Sequence, residues 1–136
     1  MEEQENIAEE KAAEKEEEEK TIAEKRVENF LNELGLKNIY ESPIFIEDDK
    51  KRPRLWSPDF FLPELGIYIE VCGAQRRAYK YRRQIYEANK IPVIFVKTFY
   101  SEKSWKEYIL KGIRRIHQER CDLITKKGLF YKLSSD

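Results

Sequence analysis

Residues 67–96 impose the strongest constraint on what this chain can fold into. IYIEVCG (67–73) alternates as a strand that buries Ile67, Ile69 and Val71, and QRRAYKYRRQIYEANK (75–90) has helical spacing. IPVIFV (91–96) is an uninterrupted apolar strand of the kind covered on both faces. A strand, a helix and a second strand in one sheet demand a crossover connection. Upstream, LWSPDFFL (55–62), the turn PELG (63–66) and IYIEVCG read as a hairpin, and IYESPIFI (39–46) is extended, although Pro43 weakens it. DDKKRPR (48–54) is a polar turn region with four basic residues. Thr21, with Glu24 three residues on, is a capping-box start for a helix whose apolar face is Val27, Phe30, Leu31 and Leu34, closed by Gly35. Residues 102–118 predict another amphipathic helix with Trp105, Ile109, Ile113 and Ile116 inward, and GLFYKL (128–133) is expected to form a last edge strand. Helix, three-strand meander, helix, strand, helix describes a single-domain α/β sandwich with a mixed central sheet flanked by helices.

The 136 residues suffice for one core and leave no room for a second domain. No apolar run approaches the roughly eighteen residues of a membrane helix, and the amino terminus is acidic where a secretory signal is basic and then apolar. The expectation is a soluble intracellular protein with no membrane partner. Cys72 and Cys121 lie far apart without a CxxC pattern, so neither a zinc site nor a disulfide framework is signalled. His117, the only histidine, is placed beside the apolar face of its helix and receives no role.

The net charge of zero hides an asymmetry. Residues 1–20 carry ten Glu against three Lys, which leaves +7 on residues 21–136. The first twenty residues are expected to form a Glu/Lys-rich helical or disordered extension, and 21–136 the folded domain. Such an arm can compete with a polyanion for the basic body. Deleting residues 1–20 is then expected to tighten DNA binding at low salt; unchanged affinity in a filter or anisotropy titration removes the idea.

Ser57-Pro58-Asp59-Phe60, followed eleven residues later by Ile69-Glu70-Val71-Cys72-Gly73, resembles the signature of the PD-(D/E)XK (restriction-endonuclease-like) nuclease superfamily. Glu24-x-x-Val27-x-x-x-Leu31-x-x-x-Gly35 resembles the first helix of these proteins, and Ile91–Val96 falls where their next core strand belongs. The resemblance spans about residues 22–118. It implies metal-dependent hydrolysis of phosphodiester bonds in nucleic acid, with DNA the expected substrate and Mg²⁺ (or Mn²⁺) the cofactor. Asp59 and Glu70 would hold the metal with the Val71 carbonyl, and Glu24, or Glu28 if the helix is rotated, would assist. Physical chemistry agrees: opposite residues of a hairpin lie about 5 Å apart, and two carboxylates among apolar neighbours repel unless a hard cation joins them. The alternative is that Asp59 caps the turn and Glu70 points to solvent on an edge strand or pairs with an arginine of the following helix.

Cys72 departs from the pattern, because the third signature position is usually Lys. One reading moves the cation to helix 75–90, with Lys80 the best substitute and Arg82 next; an endonuclease branch of the very-short-patch-repair type also lacks Lys there and keeps E-x-x-G before a basic helix. A second reading is a catalytically inactive nucleic-acid-binding or assembly protein on the same fold. In the third, Cys72 is a small packing residue beside a site that works through metal alone. RRAYKYRR (76–83) and KKRPR (50–54) supply nucleic-acid contacts, with Lys51, Arg52, Arg54, Arg76, Arg77, Arg82 and Arg83 as phosphate ligands. Tyr79 and Tyr86 are open to base stacking or to the core, with at least one assigned to the core. The Glu-rich arm also admits a scaffold that recruits a partner helix. Two copies could pair to cut both strands, through an edge strand such as 128–133.

Overall fold

The computed structural model describes residues 20–73 and 78–134. Helix α1 (Ile22–Glu33) starts as the capping box predicts: the Glu24 N–H donates to Thr21 Oγ1 at 3.1 Å, and the Thr21 hydroxyl donates to Glu24 Oε1. It ends at Gly35, whose φ of +73° is available to glycine without strain, and the Leu36 N–H closes back on the Leu31 carbonyl. Val27, Phe30 and Leu31 are buried on its inner face.

Strands β1 (Ile39–Tyr40), β4 (Phe60–Leu62), β5 (Ile67–Cys72) and β6 (Val93–Lys97) form one sheet in the order β1-β4-β5-β6. β4 and β5 are antiparallel, while β5 and β6 are parallel, joined across α2 (Ala78–Ala88) as the crossover requires. The sheet is mixed. β5 is central and buried on both faces: Ile67, Ile69 and Val71 pack with Val27, Leu31, Trp105 and Ile109, and Cys72 packs on the other face with Ile85, Tyr86 and Phe95.

The expected three-strand meander is present as β1-β4-β5, each pair antiparallel, but its first two runs are each cut in two. β2 (Ile44–Glu47) and β3 (Pro53–Trp56) pair with each other in a separate two-stranded sheet. The run 55–62 is cut at Ser57-Pro58, since proline offers no N–H to a ladder, and 39–46 is cut by Glu41 at φ +53° and by Pro43. Asp48 organises the β2–β3 turn, accepting from the N–H groups of Lys50 and Arg52 and from the side chains of Arg52 and Arg54. Asn89, just past α2, clamps this hairpin by exchanging two hydrogen bonds with the Glu47 backbone, at 2.8 and 2.9 Å.

Helix α3 runs over Glu102–Ser134, so the helix expected to stop near 118 continues and the edge strand expected at 128–133 is instead helical. Residues 119–127 carry no proline and keep helix formers, so nothing ends the helix before that segment. Arg120 anchors α3 to the β4–β5 turn through the carbonyls of Leu65 and Gly66. Gly112 lets α3 lie close over β6, since a Cβ there would meet the buried Ile94 Cδ1 at 2.9 Å. Overpacking costs about 1–3 kcal/mol against a helix-propensity gain of about 1 kcal/mol, so Gly112→Ala is expected to lower the melting temperature by a few degrees. A rise would show that propensity outweighs the contact. Among the described residues no helix is long and apolar enough to cross a membrane. The acidic arm before Lys20, and Arg76 and Arg77, lie outside the described residues.

Candidate functional site

The site lies where β4 ends and β5 continues. Phe60 pairs with Ile69, so Asp59, one step earlier, stands opposite Glu70. Having no strand beyond it, Asp59 takes over the ladder with its side chain: the Val71 N–H donates to Asp59 Oδ2 at 2.6 Å. The N–H and C=O of one strand residue project to the same side, so the Val71 carbonyl is directed toward Asp59 as well.

Glu70 is 4% exposed. It accepts from Arg82 Nη2 at 3.1 Å and from the Tyr86 hydroxyl at 3.3 Å, both supplied by α2 across the crossover. Burial, then the charge of Asp59, pushes the Glu70 carboxyl up to about 7 against the opposing pull of Arg82. Asp59 is pushed up to about 6, first by burial and then by Glu24, while the Val71 N–H and Arg82 pull it down. Glu24 therefore acts electrostatically on Asp59 from α1. Its Oε2 is shut off from solvent, and the Tyr40 hydroxyl is the group that hydrogen-bonds Glu24 there. Glu28 is committed elsewhere, to an ion pair with Lys20.

Sequence reasoning and structure differ over the cations. Lys80 is on the exposed face of α2 and makes no hydrogen bond or ion pair among the described residues. Arg82 does reach the site, but as the partner of Glu70, stacked 5.1 Å from the Trp56 ring. Arg52 and Arg54 are tied to Asp48, whose carboxyl the Arg52 N–H and these guanidinium groups hold down at about 2, and Lys51 sits exposed in the hairpin turn at φ +64°. Arg83 lies 5.0 Å from the Phe95 ring. Tyr86 belongs to the core, and Tyr79 packs edge-on against Phe95. His117 is exposed, 3.5 Å from Cys121 Sγ.

Lys97 is the residue that sequence reasoning missed. The parallel register sets it directly beside Cys72, on the sheet face that also carries Glu70, and it is exposed where Cys72 is 1% exposed. Its charge reaches the thiol: burial, Glu70 and Asp59 push Cys72 up to about 11, while Lys97 and Arg83 pull it down. The available signal was a lone charge ending an apolar strand, which names a strand end but not its neighbour. A thiol held at about 11 is neutral near pH 7 and is not a nucleophile.

Among the described residues no three His, Cys, Asp or Glu side chains converge as a ready-made metal cage. Buried Glu70, raised by Asp59, and half-buried Asp59, raised by Glu24, nevertheless make a set of carboxylates that a hard cation fits. No protein-family model matches the chain, and neither a curated protein nor a solved structure matches it.

Proposed function

We propose that the chain is a metal-dependent endonuclease-like domain of the PD-(D/E)XK type, built as a restriction-endonuclease-like sandwich and acting on DNA. The observation that carries this reading is the apposition of Asp59 and buried Glu70 across β4 and β5, two carboxyls that burial pushes up to about 6 and about 7. Asp59, Glu70 and the Val71 carbonyl would hold Mg²⁺ or Mn²⁺, with Glu24 completing the ring of oxygens. A bound divalent ion supplies charge neutralisation on the scissile phosphate and an activated water. Arg82 orients Glu70 by holding one of its oxygens. Lys97 replaces the signature lysine by presenting an ammonium to the phosphate beside Cys72, and Arg83 and Lys51 contribute to backbone binding.

One observation favours a second reading, a non-catalytic nucleic-acid-binding protein on the same fold: Arg82 already supplies Glu70 with positive charge at 3.1 Å. Titrating Mg²⁺ or Mn²⁺ into the full chain with supercoiled plasmid and with branched DNA separates the two. Metal-dependent nicking that is lost with Asp59→Ala supports the nuclease. Tight metal-independent binding without nicking supports the second reading.

A further inference from the structure

β6 is the outer strand of the four-stranded sheet. On its inner side the Tyr68 N–H donates to the Pro92 carbonyl and the Thr98 N–H to the Cys72 carbonyl, which fixes the phase of the parallel ladder. Ile94 and Val96 therefore face β5 with their backbone groups, and those of Val93, Phe95 and Lys97 face outward. The Lys97 carbonyl is taken by the Tyr100 N–H at 3.3 Å. The other outward groups have no strand beside them among the described residues, since residues 128–133 are helical.

These groups form the floor of a groove walled by α2 on one side and α3 on the other. Two cavities of about 640 and 310 Å³ lie along it, both lined by Arg83, Phe95 and Tyr108. The floor is apolar, and six basic side chains line the two cavities against three acidic ones. Lys90, Lys97, Lys111 and Arg115 make no ion pair among the described residues. An apolar edge strand of this kind is normally blunted by charge, proline or a covering element.

We propose that the β6 edge is a docking site for an extended peptide strand of a partner protein with acidic side chains, added to the sheet beside Val93–Lys97. Backbone hydrogen bonds to the outward groups of Val93 and Phe95 and to the Lys97 N–H supply affinity once the side chains that leave Phe95 only 3% exposed move aside, and the cationic walls select acidic side chains on both faces. A second copy of the chain fits less well, because pairing β6 with itself would bring the two sets of cationic walls together. A nucleic-acid strand has no row of amides to complement the edge. The proposal does not rest on the nuclease reading and shares only Lys97, at one end of the groove, and Arg83, between its two cavities, with that reading.

The test titrates ¹⁵N-labelled full chain with acetyl-Glu-Val-Glu-Val-Glu-Val-Glu-amide. Shifts are expected at the Val93, Phe95 and Lys97 amides, with their hydrogen exchange slowed about tenfold or more at saturation. Val93→Pro removes one outward N–H without touching the ladder to β5, and is expected to weaken the probe about tenfold. Should that variant misfold, the exposed double substitution Lys111→Glu and Arg115→Glu carries the test, with a similar loss expected. Unmoved amides, or equal binding of the probe with Lys in place of Glu, overturn the proposal. So does concentration-dependent self-association abolished by Val93→Pro, which assigns the edge to a second copy. Duplex DNA shifting the same amides, or their change on deleting residues 1–19, assigns it to nucleic acid or to the chain's own acidic arm.

Discussion

Glu70→Gln is expected to abolish metal-dependent cleavage, by about 10³-fold or ~4 kcal/mol of transition-state stabilisation, and at the same time to raise the melting temperature of the metal-free protein at pH 8. Glutamine keeps the acceptor oxygen for Arg82 Nη2 and the Tyr86 hydroxyl, so the side chain stays in place. What it removes is a buried charge facing Asp59. Folded Glu70 and Asp59 retain protons up to about pH 7 and about pH 6, above their ordinary values of 4.5 and 3.8. Between those limits the folded state binds more protons than the unfolded one, so stability falls as pH rises. The metal-free protein is therefore expected to be most stable near pH 4 with respect to this pair, and to lose stability progressively up to pH 7.5. Mg²⁺ at pH 8 restores that loss in the parent protein. In Glu70→Gln the pH slope is shallower and Mg²⁺ has little effect. Differential scanning calorimetry from pH 4 to 8, with and without Mg²⁺, checks each statement. A parent protein whose stability rises from pH 4 to 7 and ignores Mg²⁺ would mean that Arg82 fully satisfies Glu70 and that the metal assignment is wrong.

The fold was legible where a local signal had one physical meaning. Thr21 and Glu24 define a helix start whichever core the helix packs on, and Gly35 defines its end. The crossover from IYIEVCG to IPVIFV fixed a mixed sheet, because two buried strands flanking a helix have few other arrangements. Strand partners were less legible. LW and FFL look like one run, yet Pro58 divides it, the first part pairing with β2 and the second lying between β1 and β5, while Trp56 packs on Tyr86. At the site, the Asp59–Glu70 apposition could be read from hairpin register, since both residues flank one short turn. The cations could only in part: a Glu70 paired with an arginine of the following helix is one of the readings the sequence allows, but which arginine is not. Arg82 rather than Lys80 reaches Glu70 because of the rotation of α2 about its axis, and Asp48 claims Arg52 and Arg54 through turn geometry. Lys97 stands 25 positions from Cys72, and only the parallel register between two strands brings them side by side.

That register yields the sharpest prediction about the departure at Cys72. Lys97→Met is expected to lower metal-dependent nicking by about 10²-fold while leaving the fold intact, because Lys97 is exposed at the end of β6 and its side chain supports no core contact. Lys80→Ala, on the exposed face of α2, is expected to change the rate by less than about threefold. The diagnostic variant is Cys72→Lys in the Lys97→Met background. Cys72 projects from the same sheet face as Glu70, two residues on, so a lysine there carries an ammonium back to the position that Lys97 serves from the neighbouring strand. The longer side chain must leave the cluster of Ile85, Tyr86 and Phe95, at an overpacking cost of about 1–3 kcal/mol, so melting temperature is measured alongside rate. Recovery to within about tenfold of the parent rate, despite lower stability, would show that the cation moved from β5 to β6. Loss with Lys97→Met without recovery in the double variant would make Lys97 a phosphate-binding residue only. A rate unaffected by Lys97→Met would leave the metal to work without a lysine, and Cys72 would then be a packing residue beside it.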